Sequence, residues 1–578
     1  MDNKYLNINF ILANLVIPLV SLMIYCWTFV IISSWLMLEG VNYHFARRTG
    51  GLVFFATIVL IIIMIVGIKM RWFKSPFFDK AIQGNITSVD ILLILLPLTP
   101  VTQFVITNHE ILDGIDYLYA LALFALFSSI FIFFLPMAFN LLAPTRAPFI
   151  VGLAFIYMIA SMGAMTDFFS WYEMGSLKIQ LLVFGVLTGI LWMLYNMENK
   201  KILHFLVLIN FTVGTLIRFV SLDGSISSAP IESNQLISLV EGKNASIMPN
   251  IYLLVYDAYV PNETMIAYGI DNMAQEEFLE TQGFAFYPHT YSVGSSTVGT
   301  MSRVFNASPE YYGNVRRGVS GDGLAHRILH DLGYETYGLF YYDYMFRGVG
   351  IHYDHSMPES YSISSPLLLK SVILGEFRFD IEKVGDSKET LKQLIQAKRE
   401  FLKKASNAQS FVYAHSTQPS HAQISGTCLP DEVDLFNHRL NAANDEMKLD
   451  VDLLIKSDPS AIIIIAGDHG PYLTKNCYQT KEGGYDISEI SRLDVQDRYG
   501  AFLAIRWPTK DYDRYDEITV LQDLFPAIFS YIYKDDRILD AKIAPITLED
   551  YVVSGVSVNN GIIIGGIDDG QPLYISVK

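Results

Sequence analysis

The stretch "IIIIAGDHGPYL" (462–473) runs four isoleucines straight into Asp468 and His469. A fully apolar run of this kind reads as a central strand of a parallel sheet, covered on both faces. A carboxylate and an imidazole at its end are two groups that resist burial, delivered to one place. The pattern recurs: "NIYLLVYD" (250–257) ends on Asp257 and "SFVYAH" (410–415) ends on His415. A single acid after a buried strand is commonly a turn or helix cap. Three such endings together point to a shared site, because ligands of open α/β sheets bind beyond the carboxyl ends of the strands. Two carboxylates and an imidazole, Asp257, Asp468 and His469, with an oxygen nucleophile as fourth ligand, suit zinc or manganese. Neighbours in sequence, Asp468 and His469 reach one ion only if the chain turns sharply, and Gly470 is expected to permit that turn.

The nucleophile is sought in "HTYSVGSSTVGTMSRVFN" (289–306), where Ser295, Ser296 and Thr297 precede a helix-compatible run. Small hydroxyl residues there are also ordinary N-caps. The same geometry serves chemistry, since a helix N-terminus presents free N–H groups and the positive dipole end to a phosphate. A threonine hydroxyl held there beside a metal is activated to attack phosphorus.

The elements that must position these groups follow from pattern. Further short apolar runs at 336–342 and 500–507, with helical patterns at 272–283, 387–406 and 432–457, predict an α/β domain with a mainly parallel sheet. The tail at 561–578 carries hairpin-like turns and is expected to add a small extra sheet. Residues 222–248 are polar and Ser-rich and read as a linker. Catalytic-domain texture then runs from 249 to 578.

Before the linker the chain is apolar. The 578 residues are 51% hydrophobic with a net charge of −17, which sets nucleic-acid binding aside. The excess lies in residues 1–221, where seven stretches near 9–37, 51–70, 90–108, 116–137, 148–168, 179–196 and 202–221 are long enough to cross a bilayer. Pro97 and Pro100 weaken the third, so six or eight are alternatives. Lys4, Lys69, Arg71, Lys74, Lys80, Arg146, Lys200 and Lys201 fall on one side, against Arg47, Arg48 and Lys178 on the other. That bias places the N-terminus inside and the catalytic part outside the cytoplasm. Of three cysteines, Cys428 and Cys477 lie in the soluble part, where an oxidising compartment allows a disulfide; two unlinked thiols are the alternative. Cys26 lies inside a span, and the absence of any CxxC pair excludes a cysteine-type zinc site.

The set "NIYLLVYDAY", "SVGSSTVGTMS" and "AGDHG" resembles the alkaline phosphatase superfamily, in the sulfatase-like branch with bacterial membrane phosphoethanolamine transferases and lipoteichoic acid synthases (phosphoglycerol transferases). The resemblance covers roughly 249–535. It implies metal ligands at Asp257, Thr297, Asp468 and His469, with Thr297 as nucleophile. The phosphoethanolamine transferases usually carry Glu where this chain has Asp257. A segment like "AHSTQPSHAQ" implies a histidine for phosphoryl binding and proton transfer, on His421 or alternatively His415. Arg498 is a candidate substrate contact or an ordinary structural arginine, and His289 reads as a turn residue. Sulfate-ester hydrolysis is disfavoured, because no Cys/Ser-x-Pro-x-Arg motif lies at 290–306. The implied reaction moves a phospholipid headgroup to a cell-envelope glycan or lipid, at a bacterial inner membrane with the site on the outer side. The rivals are a membrane-tethered phosphodiesterase and a non-catalytic protein with a relic site.

Overall fold

The computed structural model of the chain describes residues 16–35, 58–59, 62, 66, 87–107, 114–140, 146–168, 177–196, 200–224, 231, 234–341, 343–346, 349–357, 388–422, 429–477, 486–548 and 555–575. These fall into two compact units, one up to Gly224 and one beyond it.

The first unit is helical. Its helices include Ile17–Trp35, Leu95–Thr107, Ala147–Phe168, Leu177–Asn196 and Lys200–Gly224. Gly114–Ser129 continues through a π-helical turn at Ile130–Phe134 into Leu135–Asn140. Aromatic rings of Tyr25, Phe124, Phe131 and Phe155 sit at its core. Leu118, Leu126, Phe134, Leu182, Phe205 and Ile217 point outward, an apolar exterior that suits lipid rather than water. Among the described residues two helical stretches, Leu118–Ala138 and Lys200–Ile217, are long and apolar enough to cross a membrane. The stretches expected at 9–37, 90–108, 148–168 and 179–196 contain shorter apolar helices, and most of 51–70 lies outside the described residues. The helix Leu95–Thr107 runs through Pro100.

The second unit is built on seven strands: β1 (Ile251–Tyr256), β2 (Ala285–Phe286), β3 (Glu335–Phe340), β4 (His355–Met357), β5 (Ser410–Ser416), β6 (Ile462–Gly467) and β7 (Leu503–Arg506). Their order is β2-β7-β6-β1-β5-β3-β4. The five from β6 to β4 are parallel, whereas β7 is antiparallel to both its neighbours. The isoleucine run of β6 is explained by alternation. Ile462 and Ile464 enter one core with Ile251, Leu253 and Val255, under the helices Thr297–Asn306 and Leu524–Tyr533. Ile463 and Ile465 enter the opposite core with Tyr252, Leu254 and Tyr256, under Lys388–Ala405 and Glu432–Ser457. A strand buried on both faces has no polar side to show.

A hairpin of β8 (Ser557–Asn559) and β9 (Ile562–Ile564) forms the small separate sheet. The stretch read as a linker is not featureless. It contains the helix Gln235–Val240, capped by the Asn234 side chain on the Leu236 N–H, with Leu236 and Val240 packed into the core. Two apolar residues four apart are enough for one buried helical turn in an otherwise polar segment.

Candidate active site

Register brings the first groups together. Tyr256 on β1 lies beside Ser416 on β5 and Gly467 on β6. Asp257 and Asp468 therefore leave adjacent parallel strands at one level of the carboxyl edge. Asp468 is fully buried, and its Oδ1 accepts the Ala258 N–H at 2.9 Å and the His469 N–H at 3.0 Å. Those two bonds aim Oδ2 away from the backbone.

His469 Nδ1 lies 2.8 Å from the Gly470 carbonyl oxygen. A carbonyl only accepts, so Nδ1 carries the proton and Nε2 presents its lone pair. That lone pair faces Asp468 Oδ2 at 3.4 Å, Asp257 Oδ1 at 3.5 Å and Thr297 Oγ1 at 3.1 Å. Ligand atoms of Asp257, Asp468 and His469 all lie within 4.8 Å of one another. Asp257 Oδ1 and Asp468 Oδ2 are buried with no hydrogen-bond partner. Two orphaned carboxylate oxygens facing an imidazole lone pair are costly unless a cation joins them, so the residues present fit a divalent metal. Burial, and next the Asp468 charge, push the Asp257 carboxyl up to about 7. Burial works the same way on Asp468, but His469 and His415 beside it and the bond from the Ala258 N–H outweigh it and hold that carboxyl low.

Thr297 opens the helix Thr297–Asn306. Ser296 takes the N-cap position in extended backbone, yet its side chain makes no capping bond. The capping alternative is not realised at Ser296, and Thr297 stands at a helix N-terminus that can offer its amides to an anion.

Asp257, Thr297, His415 and His421 line one cavity of about 260 Å³. Phe340, Tyr341, Tyr344 and Met345, from the end of β3 and the turn after it, form its apolar wall. His415 is fixed by Tyr413, whose hydroxyl lies 2.8 Å from Nδ1, and its Nε2 stands 3.9 Å from Asp468 Oδ2. His421 Nδ1 is buried without a partner. Burial lowers both imidazoles to about 4, so both are neutral near pH 7.

Gly470 acts otherwise than expected. It is absent from the glycines with positive φ. A Cβ there would lie 1.9 Å from the Asp497 carbonyl oxygen. The glycine is required by a close approach of two backbones rather than by a left-handed turn.

No family model matches the chain and no curated protein matches it. Solved structures do match. Lipoteichoic acid synthase LtaP from Listeria monocytogenes aligns at 13% identity over 58% of this chain and 86% of that chain, with a TM-score of 0.34. Lipooligosaccharide phosphoethanolamine transferase A (EptA) from Neisseria meningitidis, an integral membrane protein, aligns at 12% identity over 91% of this chain and 97% of that chain, with a TM-score of 0.34. A protein in the alkaline phosphatase superfamily from Vibrio parahaemolyticus aligns at 13% identity over 58% of this chain and 85% of that chain, with a TM-score of 0.35. At such identities and scores the chemistry of the site has to stand on its own geometry.

Tyr472, Asp497 and Arg439 shape the site and were not singled out from sequence, whereas Arg498 was. The Tyr472 ring lies parallel to His469, centroids 5.1 Å apart, and its hydroxyl donates to the Ser295 carbonyl. It thereby ties the "DHG" loop to the segment that leads into Thr297, from a backbone φ of +56°. Tyr472 was legible only as the second residue after the motif. Arg498 is buried, with its guanidinium 4.6 Å over the Tyr472 ring. Asp497 accepts the Leu473 and Thr474 N–H groups at 2.8 and 3.2 Å, and the Thr474 hydroxyl at 2.7 Å. Arg439, on the helix Glu432–Ser457, donates to the Pro419 carbonyl at 2.7 Å, and its charge acts on both Asp257 and His421. No sequence signal marked it. Cys477 is disulfide-bonded and Cys26 is free; Cys428 lies outside the described residues. His289 is exposed on the wall of a different cavity.

Proposed function

We propose that the chain transfers a phospholipid-derived headgroup, phosphoethanolamine or phosphoglycerol, to a hydroxyl of a cell-envelope glycan or lipid through a phosphothreonine at Thr297. One observation carries the reading: the Thr297 hydroxyl, at a helix N-terminus, lies 3.1 Å from the lone-pair nitrogen of His469, which also faces Asp257 and Asp468.

In the first half-reaction Thr297 Oγ1 forms a bond to phosphorus, and the bond from phosphorus to the diacylglycerol oxygen breaks. The Thr297 proton passes to a neutral imidazole and then to the departing oxygen. His421 is assigned this transfer, with His415 the alternative, because both share the Thr297 cavity and burial keeps both neutral. In the second half-reaction the acceptor hydroxyl displaces Thr297 Oγ1, with the proton moving in reverse. Asp257, Asp468 and His469, with Thr297 completing the set, would hold a divalent cation, zinc or manganese, which would supply positive charge to the phosphoryl oxygens and favour the ionised hydroxyl. Arg439 adds positive charge, and the helix N-terminus offers its amides to the phosphoryl group. Residues 1–221 are assigned as the membrane domain, 222–248 as the connection and 249–578 as the catalytic domain on the outer side of a bacterial inner membrane. That arrangement would keep the site where its lipid donor is concentrated.

The test is the intact mass of the purified protein, wild type and Thr297→Ala, after incubation with mixed phospholipids and zinc. An added phosphoethanolamine or phosphoglycerol mass on wild type alone is expected and names the donor. Headgroup released to water, with no product on any acceptor, would assign a hydrolase instead. No adduct, no headgroup release and no bound metal would overturn the reading.

A further inference from the structure

A second cavity, about 790 Å³, opens along the edge strand β2 and the segment that follows it. It shares no lining residue with the cavity at Thr297. Tyr287, His289, Tyr512 and Tyr574 give it flat ring surfaces, and Asp513 and Asp516 stand among them. Among the described residues no lysine or arginine lines it.

The rings are held in place. Tyr512 stacks on Trp507, centroids 5.7 Å apart and 12° from parallel. Trp507 Nε1 donates to the Tyr287 hydroxyl at 3.0 Å, which donates to Asp516 Oδ2 at 2.9 Å. His289 stacks on Tyr574 at 6.1 Å and 8°. The volume falls in the usual range for a small-molecule site, roughly 300–1,000 Å³. Fixed ring faces beside carboxylates suit a ligand with apolar C–H faces and many hydroxyl donors. Asp513, Asp516 and Glu517, the last paired with Lys542 at 2.8 Å, put carboxylates on the wall and disfavour an anion there.

We propose that this cleft binds a neutral or amino-bearing oligosaccharide, and that it is where the glycan acceptor is held; the second half of that statement rests on the transferase reading above. The cleft is coupled to the nucleophile by chain. Tyr291, on its wall, bridges Gly500 and Val520, and the next residue donates from Ser292 N to the Tyr499 carbonyl at 2.8 Å. Thr297 follows Tyr291 by six residues. Even fully extended, that segment keeps the two within about 22 Å, a distance a short oligosaccharide spans.

The test is saturation-transfer NMR and calorimetry on the full-length protein in lipid nanodiscs. The probes are chitotetraose, its de-acetylated amino form, maltotetraose and, as an anionic control, a hyaluronan tetrasaccharide. At least one of the first three is expected to bind and the anionic sugar to fail. Tyr512→Ala should weaken that binding at least tenfold, and Tyr512→Phe, which keeps the ring, should restore it. Failure of all three sugars, binding indifferent to Tyr512→Ala, or preference for the anionic sugar overturns the proposal. The Thr297 adduct is measured separately on wild type. Sugar binding with neither adduct nor headgroup turnover would leave the glycan cleft standing and remove the transferase reading. Turnover without sugar binding would do the opposite.

Discussion

Thr297 and His469 stand 172 residues apart in the chain and their side chains meet at 3.1 Å. The contact is made by two different kinds of element. Thr297 is the first residue of a helix, and His469 is the second residue past a central strand. Tyr472 closes the arrangement, because its ring lies against His469 while its hydroxyl reaches the Ser295 carbonyl.

Replacing the proposed nucleophile separates chemistry from binding. Thr297→Ala is expected to lower headgroup turnover on the order of 10⁴-fold or more, as loss of a nucleophile does. Metal content should persist, since Asp257, Asp468 and His469 remain. Thr297→Ser keeps the oxygen but frees its rotamer, so it should retain part of the activity. Release of labelled headgroup from a donor lipid, read beside elemental analysis, checks all three outcomes.

Asp468→Asn tests the metal. The amide oxygen can still accept the Ala258 and His469 N–H groups, so the loop is expected to fold. The charge facing His469 is lost. Zinc affinity should fall by more than the roughly 10–100-fold that loss of an outer partner costs. Calorimetric titration of the metal-stripped protein reads it; unchanged affinity would remove Asp468 from the ligand set.

Gly470→Ala tests the close approach. The new Cβ would lie 1.9 Å from the Asp497 carbonyl oxygen, and backbone cannot swing aside as a flexible side chain does. A stability loss of at least about 1–3 kcal/mol is expected, with weaker metal binding because His469 moves with the loop. A melting temperature equal to wild type would show that the two strands of backbone separate easily.

His326 is a source of pH-dependent stability outside the site. His326 is buried against Phe305 and Tyr353, with Nε2 3.1 Å from the Tyr353 hydroxyl. That hydroxyl donates to the Val319 carbonyl, so it accepts from Nε2–H, and the buried Nδ1 has no acceptor to hold a second proton. Burial takes its folded pKa from 6.5 to about 3. Below pH 6.5 the unfolded chain binds a proton that the folded chain refuses. The contribution is therefore complete above pH 6.5 and is lost as pH falls toward 3, at about 1.4 kcal/mol per unit. His326→Leu should lose less stability than wild type between pH 6.5 and 5 in thermal unfolding; parallel pH curves would contradict this.

The sheet was the most legible part of the chain. Runs such as 251–256 and 462–467 admit one reading, because a strand that is apolar at every position must be covered on both faces. From that alone it follows that their first polar residues, Asp257 and Asp468, emerge at the same edge. Helix boundaries were likewise close, since 387–406 and 432–457 contain Lys388–Ala405 and Glu432–Ser457. The role of Gly470 was misread, because sequence shows that a residue is small but not what stands 1.9 Å from its missing Cβ.

What the sequence determined by itself was local: the strands, the polar residues at their ends, and a hydroxyl before a helix. Periodicity and burial of apolar runs act over a few residues, and their consequences can be read without knowing the rest of the fold. Tertiary structure alone decided which groups meet. It set Asp257 level with Asp468 through strand register, turned Nε2 of His469 toward Thr297 through a bond to Gly470, and brought residues 285–291, 512–519 and 560–574 together around one cleft. Most of these contacts join segments far apart in the chain. Their geometry depends on packing across the whole unit, which no single stretch of sequence encodes.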